Sequence, residues 1–286
     1  GNTLLFIFIC AFALVTLLQQ ILYSKSYIKR YFEFYKGPLE FNSTRCLELR
    51  QEILDVKVLS MVKQSDLFDR WKSLQICKWA MDSSEASLFK STLSRCCNAP
   101  GFLFTTQKNT PVETNLRYEV DSSGFYHIYQ EIFRMFPKEM PYYRSQFKKC
   151  AVVGNGGILK DSGCGKEINS ADFVFRCNLP PISGKYATDV GEKTDVVTVN
   201  PSIIIDRFHK LEKWRGTAAL ELCEEVHLFG FWAFPMNPSG FHITHHYYDN
   251  VKPKPGFHAM PSEIFAFLHL HSRGILQVHT GTCNYG

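Results

Sequence analysis

Four short apolar runs in the second half of the chain predict buried β-strands. They lie at 151–153, 173–175, 196–199 and 226–232, and three of them stop at or near a Gly or an Asn. Helical or polar sequence separates the runs, including a helical stretch at 217–225. Short apolar runs that alternate with helices are typical of a parallel sheet covered on both faces. The pattern predicts an α/β fold.

The sequence on either side of these runs predicts helices and turns. Apolar residues recur at helical spacing over 46–97, where Pro and Gly are absent. Residues 98–149 carry four prolines among polar turns, so we interpret them as a connecting region on the domain surface. Residues 261–272 predict a final helix, because Pro261 stands near its start and Gly274 follows its end.

The N-terminal segment predicts a membrane anchor. Residues 3–18 are uncharged and mostly apolar, and the run resumes at 21–23, which gives roughly 20 residues, the length of a membrane-spanning helix. No small-x-small cleavage pattern follows. We therefore interpret residues 1–23 as a transmembrane signal-anchor rather than a cleaved signal peptide.

Two signals bear on the orientation of this anchor, and they disagree. Lys25, Lys29 and Arg30 follow the apolar segment, which by the positive-inside rule would place that side in the cytosol. The sequon that begins at Asn42 indicates a glycosylated, lumenal chain instead. We predict the lumenal orientation, with residues 24–45 as a stem.

The composition fits a packed globular domain. The chain has 286 residues, of which 45% are hydrophobic and 21% charged, and this excludes disordered architectures. The net charge of +5 comes without a long Lys/Arg face, so it indicates an anionic small substrate or a membrane surface and no nucleic acid. Ten cysteines are spread without CxxC or zinc-finger spacing, which predicts an oxidising compartment and long-range disulfides.

A glycine turn after the first predicted strand marks a candidate ligand site. Residues 154–157 read Gly-Asn-Gly-Gly, which would let a ligand approach the backbone closely. The run is neither G-x-G-x-x-G nor a P-loop, so an ordinary tight turn is the alternative. Asn155 and Asn178 both follow predicted strands, at the ends where open α/β sheets bind ligands. This pairing favours a nucleotide site.

Histidines cluster toward the C-terminus, and three interpretations are open. Residues 245–249 read His-His-Tyr-Tyr-Asp, and His258 follows. They could bind zinc, as in a zinc-dependent hydrolase, although HExxH is absent. They could transfer protons near neutral pH, or they could simply be packed in an aromatic loop. The absence of Asp-x-Asp favours a metal-free mechanism or a donor with a single phosphate.

These segments together resemble the animal sialyltransferases, specifically the α-2,8 branch, and the N-terminal half resembles the members associated with ganglioside acceptors. The resemblance covers nearly the whole chain, and four motifs in order make it specific. Residues 150–196 resemble the large sialyl motif, 217–232 the second half of the small motif, 246–249 (HYYD) motif III and 258–263 (HAMPSE) the very small motif.

The resemblance implies a fold and a donor site. The α/β fold would be a GT-A-like variant with a Rossmann-type parallel sheet, preceded by the transmembrane helix and a helical stem. The donor would be CMP-sialic acid. Asn155 and Asn178 match positions that contact CMP, Trp232 matches one near the nucleotide, and His246 matches one that contacts the donor phosphate. His245, its neighbour, is assigned to the substrate-binding set with them.

The resemblance also implies a reaction. His258 matches the general base, which would take the proton from O8 of a terminal sialic acid on a ganglioside or another sialylated glycan. The displacement would invert the anomeric carbon and require neither a metal nor a cofactor. The protein would be a single-pass type II protein of the Golgi membrane, with residues 46–286 as its lumenal catalytic domain.

Two disulfides are implied by the resemblance. They are Cys150–Cys223 and Cys164–Cys283. Cys10 lies in the predicted anchor, so nine lumenal cysteines remain, and an odd number leaves at least one thiol, for which we choose Cys177. The pairing of Cys46, Cys77, Cys96 and Cys97 stays open.

The resemblance fails at one place. The Ser-Thr-Gly turn that begins the small motif is absent, as are several dozen residues before it, which indicates an internal deletion near 215–217. We expect at least one strand and part of the donor pocket to be lost with that segment. The alternative to an active transferase is therefore a catalytically impaired, membrane-anchored variant that acts through association with intact transferases.

Overall fold

The structure is a computed structural model, and it describes most of the chain after residue 36. The described residues are 37–58, 60, 62–97, 101, 104–117, 125–142, 145–198, 217–251 and 260–283. The anchor predicted at 1–23 lies outside these ranges. Within them, no helix combines the length and the apolar character needed to span a bilayer.

Three helices occupy the stretch whose periodicity predicts helices, which confirms that prediction. They are α1 (Thr44–Leu54), α2 (Gln64–Leu74) and α3 (Ser83–Cys97). Ser43 caps α1, because its Oγ accepts a hydrogen bond from the Cys46 N–H. Leu49 and Ile53, four residues apart on one face, are fully buried.

The predicted connecting region contains regular structure of its own. It includes β1 (Asn115–Arg117), β2 (Phe125–His127) and α4 (Gln130–Met135). The two strands pair antiparallel, and α4 buries none of its side chains. Strands of three residues are too short to show an alternating pattern, so no sequence signal predicts them.

A parallel sheet forms the centre of the described structure, which confirms the predicted α/β class. Its strands are β3 (Phe147–Val153), β4 (Phe173–Cys177), β5 (Val196–Thr198), β6 (Cys223–Phe229) and β7 (Gln277–His279). They lie side by side in the order β5-β4-β3-β6-β7, and every pairing is parallel.

The sheet also corrects two details of the sequence prediction. The predicted helix at 217–225 ends early, because α7 covers Thr217–Leu222 and β6 begins at Cys223. Pairing with β3 overrides the helical preference of Glu224 and Glu225 there. The short strand β7 has no counterpart among the predicted runs.

Helices and turns connect the strands. They are a 3-10 turn at Gly157–Leu159, α5 (Gly165–Ser170), a 3-10 turn at Gly184–Tyr186, α6 (Ala187–Val190), α7 and α8 (Met260–Ser272). Helix α8 confirms the final helix predicted at 261–272. Each short helix returns the chain to the start of a parallel strand, as a parallel sheet requires.

Hydrophobic residues cover both faces of the sheet. Alternate residues of β3 point to opposite faces: Val152 packs with α1, α2 and α8, whereas Val153 packs with α5 and α6. Phe175 and Val174 divide in the same way on β4. This layering explains why the strands read as nearly continuous apolar runs.

Three disulfides join described elements. They are Cys46–Cys77, Cys150–Cys223 and Cys164–Cys283. The last two are the pairs that the resemblance implies. The first resolves part of the pairing that the sequence leaves open, because it links the start of α1 to the segment after α2. Cys177 is a thiol, as chosen from the sequence.

Candidate active site

The winding of the sheet changes direction between β3 and β6. From β3 the chain moves outward through β4 to β5, and it then returns to β6 on the other side of β3. The direction of winding therefore reverses between these two neighbouring strands. In open α/β sheets, ligands bind outside the carboxyl ends of the strands at such a reversal.

Glycines allow the backbones after β3 and β6 to approach each other closely. Gly156 N donates to Gly230 O at 2.9 Å, and a Cβ placed on Gly156 would lie 2.7 Å from the same oxygen. A Cβ on Gly154 would lie 2.8 Å from it. The glycine turn is thus required by contacts within the protein. By themselves, these glycines do not indicate a ligand.

Asn155 offers a polar atom at this turn. Its Nδ2 donates to Cys177 O at 2.8 Å, which ties the end of β3 to the end of β4. Its Oδ1 is buried and has no hydrogen-bond partner among the described residues. Leaving a buried acceptor unpaired costs about 1–3 kcal/mol, so this oxygen is suited to a donor on a ligand.

Asn178 follows β4 in a left-handed conformation, with φ at 66°. Asparagine tolerates this region better than most residues, which explains its place at the end of the strand. Its backbone N donates to Thr198 O on β5 at 2.5 Å. Asn155 and Asn178 therefore lie at one edge of the sheet, as the sequence predicts.

The loop at 244–249 docks on the glycine turn through its backbone. Tyr247 N donates to Asn155 O at 3.1 Å, and Gly157 N donates to His245 O at 3.3 Å. His246 forms an isolated antiparallel bridge with Gly156. We call residues 154–157, 178, 230–232 and 244–249 the switch-point site.

His246 is held by a carboxylate within this loop. Its Nδ1 lies 2.6 Å from Asp249 Oδ2, and its ring is stacked on Tyr248 with 4.9 Å between ring centroids. Burial acts to raise the pKa of Asp249, but hydrogen bonds from the His246 side chain and from the His246 and Val251 backbone outweigh it and lower the pKa. Asp249 is therefore ionised near neutral pH.

Trp232 lies in the core rather than at the open face of the site. Its side chain packs against Phe68 and Phe234, with ring centroids 6.1 and 4.9 Å away. Its Nε1 donates to Met236 O at 2.7 Å. The indole N–H is thus already used within the protein. The structure brings Asn155, Asn178, His245 and His246 together at the glycine turn, whereas the Trp232 side chain is buried among core aromatic rings.

A comparison with protein families decides the family. The model of glycosyltransferase family 29 (sialyltransferase) matches residues 104–217 and 216–275. The chain belongs to this family of sialyltransferases. Alpha-2,8-sialyltransferase 8E of Rattus norvegicus is 74% identical over 361 residues, covering 99% of this chain and 96% of the relative. The 8E enzyme of Homo sapiens is 68% identical over 360 residues, with the same coverage.

These relatives place the sialyltransferase in the 8E-type part of the α-2,8 branch, so the resemblance is confirmed and the chain is a glycosyltransferase by family. Among solved structures, a crystal structure of a mammalian sialyltransferase matches at a TM-score of 0.32 and 24% identity, covering 47% of this chain and 70% of that chain. A TM-score this low supports no argument about the present chain.

The alignment with the rat relative also shows a gap in this sialyltransferase. It spans 361 residues and this chain has 286, so at least 75 aligned positions have no counterpart here. The two stretches that match the family model meet at residues 216–217. That point lies directly before α7 and β6, where the sequence indicates an internal deletion.

Metal ligands do not converge on the switch-point site in the described part of the chain. Three candidate ligands meet elsewhere, at Glu167, His279 and Cys283, with their ligand atoms within 4.8 Å of one another. The Cys283 sulfur is bonded to Cys164, so it is not a thiolate donor. His258 lies outside the described residues.

Sequence reasoning singles out neither Asp249, which holds the loop of this site, nor Arg176, which holds the backbone at 190–193. For Asp249, the three-residue spacing from His246 is the sequence signal that indicates a contact between them. Arg176 is 2% exposed, and its guanidinium donates to the carbonyls of Val190, Gly191 and Lys193. A single arginine in an apolar strand gave no indication of that network.

Proposed function

We propose that this sialyltransferase binds CMP-sialic acid at the switch-point site and transfers sialic acid to O8 of a terminal sialic acid. The observation that carries the proposal is the buried, unpartnered Asn155 Oδ1 beside the motif loop that contains His246. The relatives are named alpha-2,8-sialyltransferases, which supports this linkage. The fold proposed for the site is the GT-A-like variant.

Each site residue has a proposed role in holding the donor. Asn155 Oδ1 accepts a hydrogen bond from the nucleoside, and Asn178 contacts the CMP moiety from the end of β4. His245 lines the site next to His246. Since the Trp232 N–H is used by Met236 O, Trp232 supports the nucleotide pocket by packing.

The proposed chemistry is a single displacement. The acceptor O8 attacks the anomeric carbon of the donor, the new carbon–oxygen bond forms, and the bond to the phosphate oxygen of CMP breaks with inversion. His258 takes the O8 proton as the general base. His246 stabilises the phosphate of the departing CMP, which carries only one phosphate, so the proposed mechanism uses neither a metal nor a cofactor.

The acceptor and the location follow from the same resemblance. We propose a ganglioside or a related sialylated glycan as acceptor, and a type II protein of the Golgi membrane anchored by residues 1–23. Asn42 is exposed and directly precedes Ser43, the cap of α1, which supports glycosylation at this sequon.

A CMP titration tests the donor site. In Asn155→Ala, the affinity for CMP should fall by roughly tenfold, because a buried acceptor and its tie to Cys177 are both removed. Isothermal titration calorimetry measures this. Asn115→Ala, on the exposed hairpin, is the matched control and should bind CMP like the parent. Equal affinities for CMP in all three proteins would contradict the proposed site.

A second candidate is favoured by the gap in the alignment. At least 75 positions present in the rat relative are absent, and the two stretches that match the family model meet directly before α7 and β6. We therefore propose transfer at a rate well below that of a full-length relative. If the transfer rate is zero, the chain is a catalytically impaired variant that acts by association with intact transferases.

A transfer assay separates the two candidates. The parent, His258→Ala and a full-length relative are compared with CMP-sialic acid and a sialylated glycolipid. A parent rate near that of the relative would overturn the proposed impairment. Equal residual rates in the parent and His258→Ala would show a broken site, and absent CMP binding would support the associating variant.

A further inference from the structure

The carboxylate of Asp249, in the loop at 244–249, is hydrogen-bonded to the side chain of His246. Asp249 Oδ2 lies 2.6 Å from His246 Nδ1, and Asp249 Oδ1 accepts from the backbone N–H groups of His246 and Val251, both at 3.2 Å. The side chains of His246 and Asp249 are 32% and 23% exposed, so water reaches the pair only in part. The two backbone donors fix the carboxylate in one orientation.

The imidazole ring is fixed from its faces as well. The Tyr248 ring is parallel to it within 3°, and the His245 ring meets it edge-on with 4.2 Å between centroids. Thr244 Oγ1 donates to His246 O at 2.6 Å, which holds the backbone. Rotation of the His246 side chain would break the contacts with both Tyr248 and Asp249.

The hydrogen bond decides which ring nitrogen carries a proton. An ionised carboxylate only accepts hydrogen bonds, so the proton between Asp249 and His246 is on Nδ1. Within the described residues no hydrogen bond occupies Nε2. That atom is left as the polar point through which His246 can contact a ligand.

We propose that Asp249 is a positioning residue: it accepts a hydrogen bond from Nδ1 of His246 and fixes the ring, so that a second proton on Nε2 is directed at the phosphate of the donor. The inference rests on the proposed donor site. Asp249 does not touch CMP itself. Its carboxylate offsets the positive charge of His246 when both ring nitrogens are protonated and Nε2 donates to the phosphate.

Asp249→Asn tests the proton assignment directly. The asparagine keeps the shape of the side chain and an oxygen for the backbone donors, but its amide can donate to Nδ1. Long-range 1H–15N spectra of the histidine rings should show His246 protonated on Nδ1 in the parent and on Nε2 in Asp249→Asn. A neutral His246 with its proton on Nε2 in the parent would overturn the inference, whether or not the protein binds CMP.

A pair of ligands then separates positioning from a general loss of structure. Affinity for CMP should fall by roughly tenfold to a hundredfold in Asp249→Asn, because the amide no longer offsets the positive charge that His246 carries when Nε2 donates to the phosphate. Affinity for cytidine, which has no phosphate, should be unchanged. Asp249→Glu should recover part of the CMP affinity. An equal loss for both ligands would mean that Asp249 only holds the loop, and would reject the positioning role.

Asp172→Asn is the matched control. Asp172 Oδ2 also accepts two backbone N–H groups, from Lys148 and Lys149, both at 3.0 Å, but it lies at the amino end of β3. This variant should retain the His246 spectrum and both affinities. If the parent shows Nδ1 protonation but does not bind CMP, the positioning geometry stands and the proposed donor site fails.

Discussion

At Gly156, the absence of a side chain sets how closely β3 and β6 meet. The residue has φ −59° and ψ 146°, a conformation that alanine adopts without strain. The constraint is the neighbouring carbonyl, because a Cβ would lie 2.7 Å from Gly230 O. The same contact brings the ends of the two strands together beside Asn155. Stability and site geometry therefore depend on one missing methyl group.

Gly156→Ala should lower the free energy of unfolding by about 1–3 kcal/mol, the usual cost of overpacking. Urea denaturation measures it. Gly281→Ala is the control, because nothing lies within 4 Å of a Cβ at Gly281. Equal unfolding free energies for the two variants would show that the backbone at the switch-point site shifts to accommodate the added methyl group at little energetic cost.

At the scale of elements, the first two helices depend on a covalent link. The Cys46–Cys77 disulfide spans 31 positions and encloses all of α2 and α1 from its third residue onward. These helices bury Ile53 and Trp71 against the sheet and α8. Trp71 Nε1 also donates to Thr280 Oγ1, just after β7, at 3.1 Å. The helices therefore complete the core on one face of the sheet.

Replacing both cysteines, Cys46→Ser with Cys77→Ser, should lower the free energy of unfolding by about 3 kcal/mol, because the unfolded chain regains the entropy of a long loop. Chemical denaturation compares it with the parent. The expected loss is general, so CMP binding below the transition should persist. A stability unchanged from the parent would mean that packing alone holds α1 and α2.

At the scale of the whole molecule, buried histidines collect where the sheet meets the N-terminal helices. His227 Nδ1 and His279 Nε2 lie 2.8 Å apart on β6 and β7, and the His271 ring on α8 contacts the Trp71 ring edge-on at 4.7 Å. Burial lowers the pKa of His227 and of His271 to about 3. For His227 this outweighs Glu225 Oε1, 2.5 Å from its Nε2, which favours the charged form.

The protein should lose stability in mild acid for this reason. The folded pKa values lie below the unfolded value of about 6.5, so the unfolded chain binds more protons between pH 6.5 and 3. The contribution of each neutral histidine to the free energy of unfolding is fully present above about pH 6.5. Below that pH it falls by about 1.4 kcal/mol per pH unit for each histidine. Urea unfolding at pH 7, 6 and 5 measures the slope.

His271→Gln provides the comparison for that slope. It removes one titrating group, so its unfolding free energy should fall less steeply with acid than that of the parent. Hydrogen bonds lower the pKa of the Asp172 and Asp249 carboxyl groups, so these groups take up protons only in stronger acid than the histidines of the unfolded chain do. Parallel slopes for parent and variant would show that His271 is not held neutral by burial.

The sequence alone determined the class of fold, the location of four strands of the parallel sheet and the family. Apolar runs showed which segments are buried on both faces, and Asn155 and Asn178 were placed at the candidate site because they end such runs. Motif order identified the sialyltransferase family. These properties are local, since they depend on residues near one another in the chain.

Tertiary structure decided the rest. The start of β6 at Cys223, the pairing of Cys46 with Cys77 and the unpartnered oxygen of Asn155 all depend on residues distant in sequence. Trp232 was expected beside the nucleotide, and only its neighbours place it in the core. The periodicity of a segment reports which face is buried. It does not report which element lies opposite, how closely backbones approach, or which polar atom is left without a partner.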